Sequence, residues 1–249
     1  MLILGLDTAT PWGTLALWED GEVVAEAGLK TGKGGGEYLL DLLGTMIQKS
    51  GREFRKIDLI AVGTGPGSFT GIRVGLAAVK GIAAGIERPV FGLSTLRVIA
   101  ENARYIPVTY IATVLDARRE RVYAALYRKS DGEILECLKM PQVMAATEFA
   151  RQLAAYSGTV ICGDGCKKYR SIWELVPGLM IGPEEWARPS AGKLAAIAFR
   201  DWDRRTSVLS ELTPFYLGKV EAEARLEEGL NATGDQPDAS RRFGRSIED

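Results

Sequence analysis

The sequence predicts an α/β protein built from two consecutive units of one design. Strand-like and helix-like patterns of apolar residues alternate as βββαβαβα, and the same order then recurs. Each repeat opens with a buried-looking strand ending in an aspartate, Asp7 in the first and Asp116 in the second. Each also carries an Asp-Gly pair, at 20–21 and at 131–132, the turn chemistry expected between antiparallel strands.

In the first repeat, residues 2–6 read as a buried strand. Residues 14–18 and 22–28 alternate around Asp20-Gly21 as a hairpin. Lys33-Gly34-Gly35-Gly36 reads as a flexible loop, followed by a helix over about 37–49. Residues 59–62 form a strand, 71–86 a helix, 89–92 a short strand and 95–104 a third helix. The second repeat has strands at 108–115, 122–128 and 133–139, then a helix at 147–156 and a strand at 159–162. A helix at 167–175, a short strand at 179–181 and a helix at 190–202 complete it. The expected boundaries are 1–105 and 106–218, with a polar, disordered tail from 219 to 249 rich in Gly, Pro, Ser and mixed charge.

The 249 residues suffice for one large or two small domains, with ordinary hydrophobic and charged content. A net charge of −1 supplies no basic field toward nucleic acid, so the chain alone should bind nucleic acid weakly. No apolar run is expected to reach the length of a membrane span. Met1 leads directly into a strand, so no signal peptide is expected. Three scattered cysteines, 137, 162 and 166, point to reduced thiols and a cytoplasmic protein. Histidine is absent, which removes Ser–His–Asp and Cys–His nucleophile systems, His-liganded zinc and an imidazole base.

The segment IAVGTGPGSFTGIRVGLAAVKGIAAG at 60–85 is the most informative. A glycine-dense turn between strand and helix suits an anion, because backbone N–H groups can approach it. Yet Gly71 is followed by Ile72 rather than the lysine of a P-loop, and Ser68 stands where the dinucleotide fingerprint needs its third glycine. The turn either binds an anion or only packs helix against sheet. In the helix, Ile72, Leu76, Val79, Ala83 and Ile86 form one apolar stripe. Gly71, Val74, Gly75, Ala78, Ile82 and Gly85 form a second, and Arg73, Ala77, Lys80 and Ala84 are left for solvent. Interior glycines cost roughly 0.5–1 kcal/mol each relative to alanine, so another backbone should come close, from the same chain or from a partner. In the helix before it, Tyr38, Leu39, Leu40, Leu42, Leu43, Met46 and Ile47 cover an arc of about 200°. That is wider than sheet packing requires.

Two βββαβαβα units in tandem are the arrangement of the actin-like, ribonuclease H-like superfamily of sugar kinases and heat-shock ATPases. In that architecture each unit offers a small Asp-x-Gly turn to nucleotide phosphates. Here Ala9 takes the glycine position after Asp7, Pro11 removes a donor, and Arg118 takes the small position after Asp116. Both turns are poor clasps for a triphosphate. The two aspartates could hold magnesium, but a turn-capping role fits them better. No nucleotide or other cofactor is expected in the isolated chain. Gly163-Asp164-Gly165 could be a remnant of an adenosine-side loop.

LGLDTAT at 4–10, the 60–83 segment, LDARRERVYAALY at 115–127, GDG at 163–165 and PFYLGKV at 214–220 together resemble the TsaB (YeaZ) family. The resemblance covers roughly residues 2–220. It implies a non-catalytic subunit of the bacterial machinery that makes N6-threonylcarbamoyladenosine on tRNA. A TsaD-type sister subunit would carry the metal and transfer threonylcarbamoyl to adenosine 37. A TsaE-type ATPase would join them, and tRNA would be met only through the complex. Where relatives commonly read His-Ser-Glu, this chain reads Gly35-Gly36-Glu37. The expected interface, used by the sister subunit or by a second copy in a two-fold dimer, comprises Tyr38, Leu42, Met46, Gly71, Arg73, Val74, Gly75, Ala78 and Ile82. Changing Gly75 to Arg or Ala78 to Glu should break assembly and leave the fold intact. The rival readings are an ATP-binding kinase or ATPase of the same superfamily and, from another class, a peptidase, which the absence of histidine disfavours.

Overall fold

The computed structural model describes residues 1–31, 38–130, 135–202 and 212–217. The expected loop at 33–36, the helix start at Glu37, the Asp131-Gly132 turn and the tail from 219 lie outside the described residues.

The first sheet contains β1 (Leu2–Asp7), β2 (Trp12–Glu19), β3 (Glu22–Lys30), β4 (Leu59–Gly63) and β5 (Val90–Leu93) in the order β3-β2-β1-β4-β5. β1 pairs antiparallel with β2 and parallel with β4. The second contains β6 (Tyr110–Asp116), β7 (Arg121–Lys129), β8 (Leu135–Ala145), β9 (Thr159–Cys162) and β10 (Met180–Ile181) in the order β10-β9-β6-β7-β8. It repeats the same pattern of antiparallel and parallel pairs. The helices are α1 (Leu39–Ser50), α2 (Phe69–Ile86), α3 (Thr95–Ala100), α4 (Ala146–Leu153), α5 (Gly165–Lys168), α6 (Arg170–Trp173) and α7 (Ala191–Asp201). The fold is α/β, with two units of the actin-like type, and the expected element order is present in both.

Successive side chains of a strand point to opposite faces, and the two central strands are buried on both. Leu2, Leu4 and Leu6 meet Leu39, Leu43, Met46 and Ile47 of α1 and Ile72, Leu76 and Val79 of α2. On the other face, Ile3 meets Val98 of α3 and Leu194, Ala195 and Ala198 of α7. In the second sheet Ala112 and Val114 meet Phe149, Leu153, Tyr169 and Trp173. Ile111 and Leu115 meet Leu96, Ile99, Ala100 and Ala103. α3 therefore faces both sheets, and α7, from the second repeat, covers the first. Residues 212–217 also return to the first sheet, where Phe215 N donates to Thr64 O at 2.9 Å and Leu212 is buried.

Three elements differ from expectation for visible reasons. The helix expected at 167–175 is broken at Tyr169 (φ −112°, ψ 29°), whose hydroxyl donates to Asp116 Oδ1 at 2.8 Å. β8 runs six residues past its expected end at 139 and includes Pro141. It is an edge strand, where proline removes no required donor, and its pairing with β7 shifts register twice. α2 corrects the expectation that no apolar run reaches membrane-span length. With Arg73 and Lys80 as its only charges, its 18 residues are long and apolar enough by length and composition. Its stripe at Ile72, Leu76, Val79 and Ala83 is buried on the first sheet.

At the end of α3, the Glu101 carboxylate is 4% exposed and accepts from Arg97 at 2.6 Å and Arg104 at 3.2 Å. Lys193 of α7 reaches Asn102 Oδ1 at 2.9 Å, which ties the two middle helices together. Glu101→Ala should lower the unfolding free energy in urea by about 3 kcal/mol, because it removes the buried carboxylate that two largely buried guanidinium groups share. A loss below about 1 kcal/mol, the scale of an exposed pair, would show that the network is only superficial.

Candidate functional site: two braced hairpin turns and an open helical face

Asp7, at the end of β1, is fully buried. Its Oδ1 accepts from Ala9 N at 2.9 Å and its Oδ2 from Thr95 Oγ1 at 2.8 Å. Burial raises the carboxyl to about 6 against the lowering effect of both hydrogen bonds. The residues after it are as buried as the strand: Thr8, Ala9 and Thr10 are each under 5% exposed.

What buries them is the glycine-dense turn and the start of α2. Ser68 N donates to Ala9 O at 2.7 Å, and Thr8 Oγ1 donates to Gly71 O at 2.7 Å. A Cβ added at Gly67 would overlap Ala9 O, and one at Gly71 would overlap Thr8 O. One at Gly75 would overlap Thr8 Oγ1, and one at Gly63 the Asp7 carboxylate. The close backbone predicted by the glycine stripe is therefore the chain's own first hairpin turn. Ser68 Oγ caps the helix by accepting from Gly71 N at 3.2 Å.

The second turn is closed differently. Asp116 Oδ1 accepts from Arg118 N at 2.9 Å as well as from Tyr169, and Oδ2 accepts from Lys168 Nζ at 2.7 Å. Burial alone would raise this carboxyl. The donors from Lys168, Tyr169 and Arg118 outweigh burial and hold it below the usual range. Arg118, Arg119 and Glu120 follow with φ of 60°, 50° and 58°, a conformation that side chains rarely adopt in succession. Asp164 Oδ1 accepts from Asp116 N at 2.8 Å, so the Gly163-Asp164-Gly165 segment braces this turn. Asp7 and Asp116 thus share the local role of capping a turn from the amide two residues on. Among the described residues no cluster of three or more acidic or cysteine side chains could hold a metal ion.

The expected interface residues separate into two groups. Tyr38 is 66% exposed, and Leu42, Val74, Ala78 and Ile82 are half-buried at the rim of the first core. Leu40, not among them, is 56% exposed. Met46 is buried in the core, and Gly71 and Gly75 are buried against Thr8. Those three do not belong to an open face, which corrects their assignment. The small residues that do are Ala78, Gly81 and Gly85; a Cβ at either glycine would meet nothing. Arg73 is exposed, but its guanidinium lies 3.8 Å from the Phe69 ring centroid and donates to Tyr216 OH at 3.0 Å. That contact, between residues 143 apart, had no signal in local sequence pattern; neither did the Asp7–Thr95 bond.

The architecture defines an actin-like, two-unit protein whose first hairpin turn is packed against the start of α2. Residues 34–162 match the family model of TsaD, tRNA N6-adenosine threonylcarbamoyltransferase. The tRNA threonylcarbamoyladenosine biosynthesis protein TsaB of Escherichia coli K12 is 32% identical over 87% of this chain and 94% of its own. That of Bacillus subtilis is 26% identical over 90% and 97%. The structure of YeaZ from Pseudomonas aeruginosa superposes with a TM-score of 0.75 at 26% identity, covering 87% of this chain and 99% of its own. The chain belongs to the TsaB (YeaZ) family.

Two predictions follow from the first turn. Gly75→Ala should destabilise the chain by about 2 kcal/mol in urea melts, because its methyl has no space beside Thr8; the expectation that Gly75→Arg leaves the fold intact is withdrawn for the same reason. Asp7→Asn should change the pH dependence of stability. With its folded pKa raised, Asp7 favours the fold most below about pH 4 and loses that contribution as pH rises through about 6. Wild type should therefore weaken relative to Asp7→Asn across this window, by at most about 3 kcal/mol. Parallel stability curves would refute a raised folded pKa for the buried carboxylate.

Proposed function

We propose that this chain is a non-catalytic cytoplasmic subunit of tRNA threonylcarbamoyladenosine biosynthesis. In this reading it binds a TsaD-type catalytic subunit, with a TsaE-type ATPase joining them, and meets tRNA within that assembly. It binds no nucleotide by itself. The observation that carries the reading is the packing of Ser68, Gly71 and Gly75 onto Thr8 and Ala9, which occupies the first turn with the chain's own atoms. The names of the relatives supply the pathway.

The face proposed for the sister subunit, and for a second copy when the chain is alone, runs along α1 and α2. Tyr38, at the N-cap of α1, and Leu42 lie on one flank of that helix, and Val74, Ala78 and Ile82 lie on α2. Both helices rest on the same side of the first sheet. Its glycines at 81 and 85 permit close approach of another backbone, and an apolar face of this kind fits a protein partner better than solvent.

Ala78→Glu places a charge in that contact while leaving the buried stripe intact. The variant should fold with an unchanged melting temperature, lose co-elution with the TsaD-type subunit, and reduce threonylcarbamoylation of tRNA by the reconstituted set at least about tenfold, the loss expected when an unpaired charge enters a dry interface. Unaltered co-elution and activity would overturn the interface. Micromolar Mg-ATP binding by the isolated wild-type chain, measured by titration calorimetry, would favour the ATPase or kinase reading.

A further inference from the structure

A chain of contacts links the two units along their surface on the side of the second hairpin turn. Lys168 of α5 holds Asp116, beside Arg118 at the turn. Its neighbour Lys167 holds Glu184 at 3.1 Å, at the start of the short 3-10 segment Glu184–Ala187. The next residue, Arg188, places its guanidinium 4.4 Å from the centroid of the Trp12 ring, in the first unit. Lys30 lies 6.0 Å from the same ring. Trp12 is 40% exposed. It is fixed at the head of β2 by its pairing with Lys30 and by Thr10 Oγ1, which donates to its carbonyl at 2.7 Å.

We infer that this band is a contact surface for the sugar-phosphate backbone and a stacked base of single-stranded RNA, with Trp12 as the stacking platform and Arg188 and Lys30 as its phosphate ligands. It rests on the reading that the chain serves a tRNA-modifying assembly. In a chain of net charge −1, Lys30 and the segments 116–121, 167–170 and 184–188 together hold eight Lys and Arg against four Asp and Glu. Within the band Lys168 pairs with Asp116 and Lys167 with Glu184, and Arg170 pairs with Glu174 just outside it, so the positive excess rests chiefly on Lys30, Arg188 and the arginines of the turn. A rigid aromatic ring among exposed cations is the composition of sequence-tolerant RNA sites, where stacking and phosphate attraction add. A protein contact would also use Trp and Arg but would deplete lysine at its centre, whereas here Lys30 lies beside the ring. The electrostatic part is small, so binding by the isolated chain should show only when screening is weak.

The test uses the full chain with Trp12→Ala, Trp12→Phe and Arg188→Glu, each verified as folded by circular dichroism. The probe is a fluorescein-labelled single-stranded RNA of mixed sequence, followed by anisotropy at about 20 mM salt. Trp12→Ala should weaken binding at least about fivefold, and Trp12→Phe should restore it to within about twofold of wild type, because a ring still stacks. Arg188→Glu should weaken binding and reduce the slope of log affinity against log salt by about one. No binding by the wild type, or equal affinity in all four proteins, overturns the RNA surface. Co-elution with the TsaD-type subunit is measured on the same proteins. Its failure in the wild type would count against the proposed assembly alone. Its loss in Arg188→Glu with RNA affinity unmoved would make the band a protein contact and overturn the RNA surface.

Discussion

The contact on which the first unit depends is that between the first hairpin turn and the start of α2. Thr8 and Ala9 lie directly on the backbone at residues 67, 71 and 75, with no room for a side chain at any of them. This contact fixes the height of α2 over β1 and β4. It also engages the turn's hydroxyl and carbonyl internally. The aspartate before the turn becomes a buried strut to Thr95. The glycines that suggest a phosphate loop in the sequence serve to bring the helix and the hairpin turn together.

The order of elements was legible throughout, because both repeats alternate between period-two and helical patterning with clear punctuation. The buried stripe of α2 was legible for the same reason. The wide arc on α1 was only half right: Met46 and Ile47 turn into the core, while Tyr38 and Leu40 stay out. Periodicity gives the width of an apolar arc but not which edge the sheet covers. The glycine stripe misled in the same way. Pattern showed that a backbone must come near Gly71 and Gly75, but whose backbone depends on a contact between residues 63 apart. The break at Tyr169 was invisible for a related reason. Local propensity favours one continuous helix, and a single tertiary hydrogen bond to Asp116 decides otherwise.

The two units are alike in topology and unlike in the means by which their turns are held. In the first, backbone and hydroxyl contacts bury a carboxylate whose ionisation is resisted by its surroundings. In the second, a lysine, a tyrosine and an amide surround a carboxylate whose ionisation is favoured. The first turn is inside the fold and the second is on its surface, with arginines on a left-handed arc. Whatever meets the second turn meets charge, and whatever meets α1 and α2 meets apolar surface. These separate chemistries suit separate partners.

The middle layer has a consequence for how such a molecule can be divided. α3 belongs to the first repeat but supplies Leu96, Ile99 and Ala103 to the core of the second sheet, while α7 belongs to the second repeat and seals the first. Each half therefore lends the other a wall. A gene fragment ending between them would encode a sheet with one naked face, and so would the remainder. Neither repeat can therefore be removed without stripping apolar surface from the other.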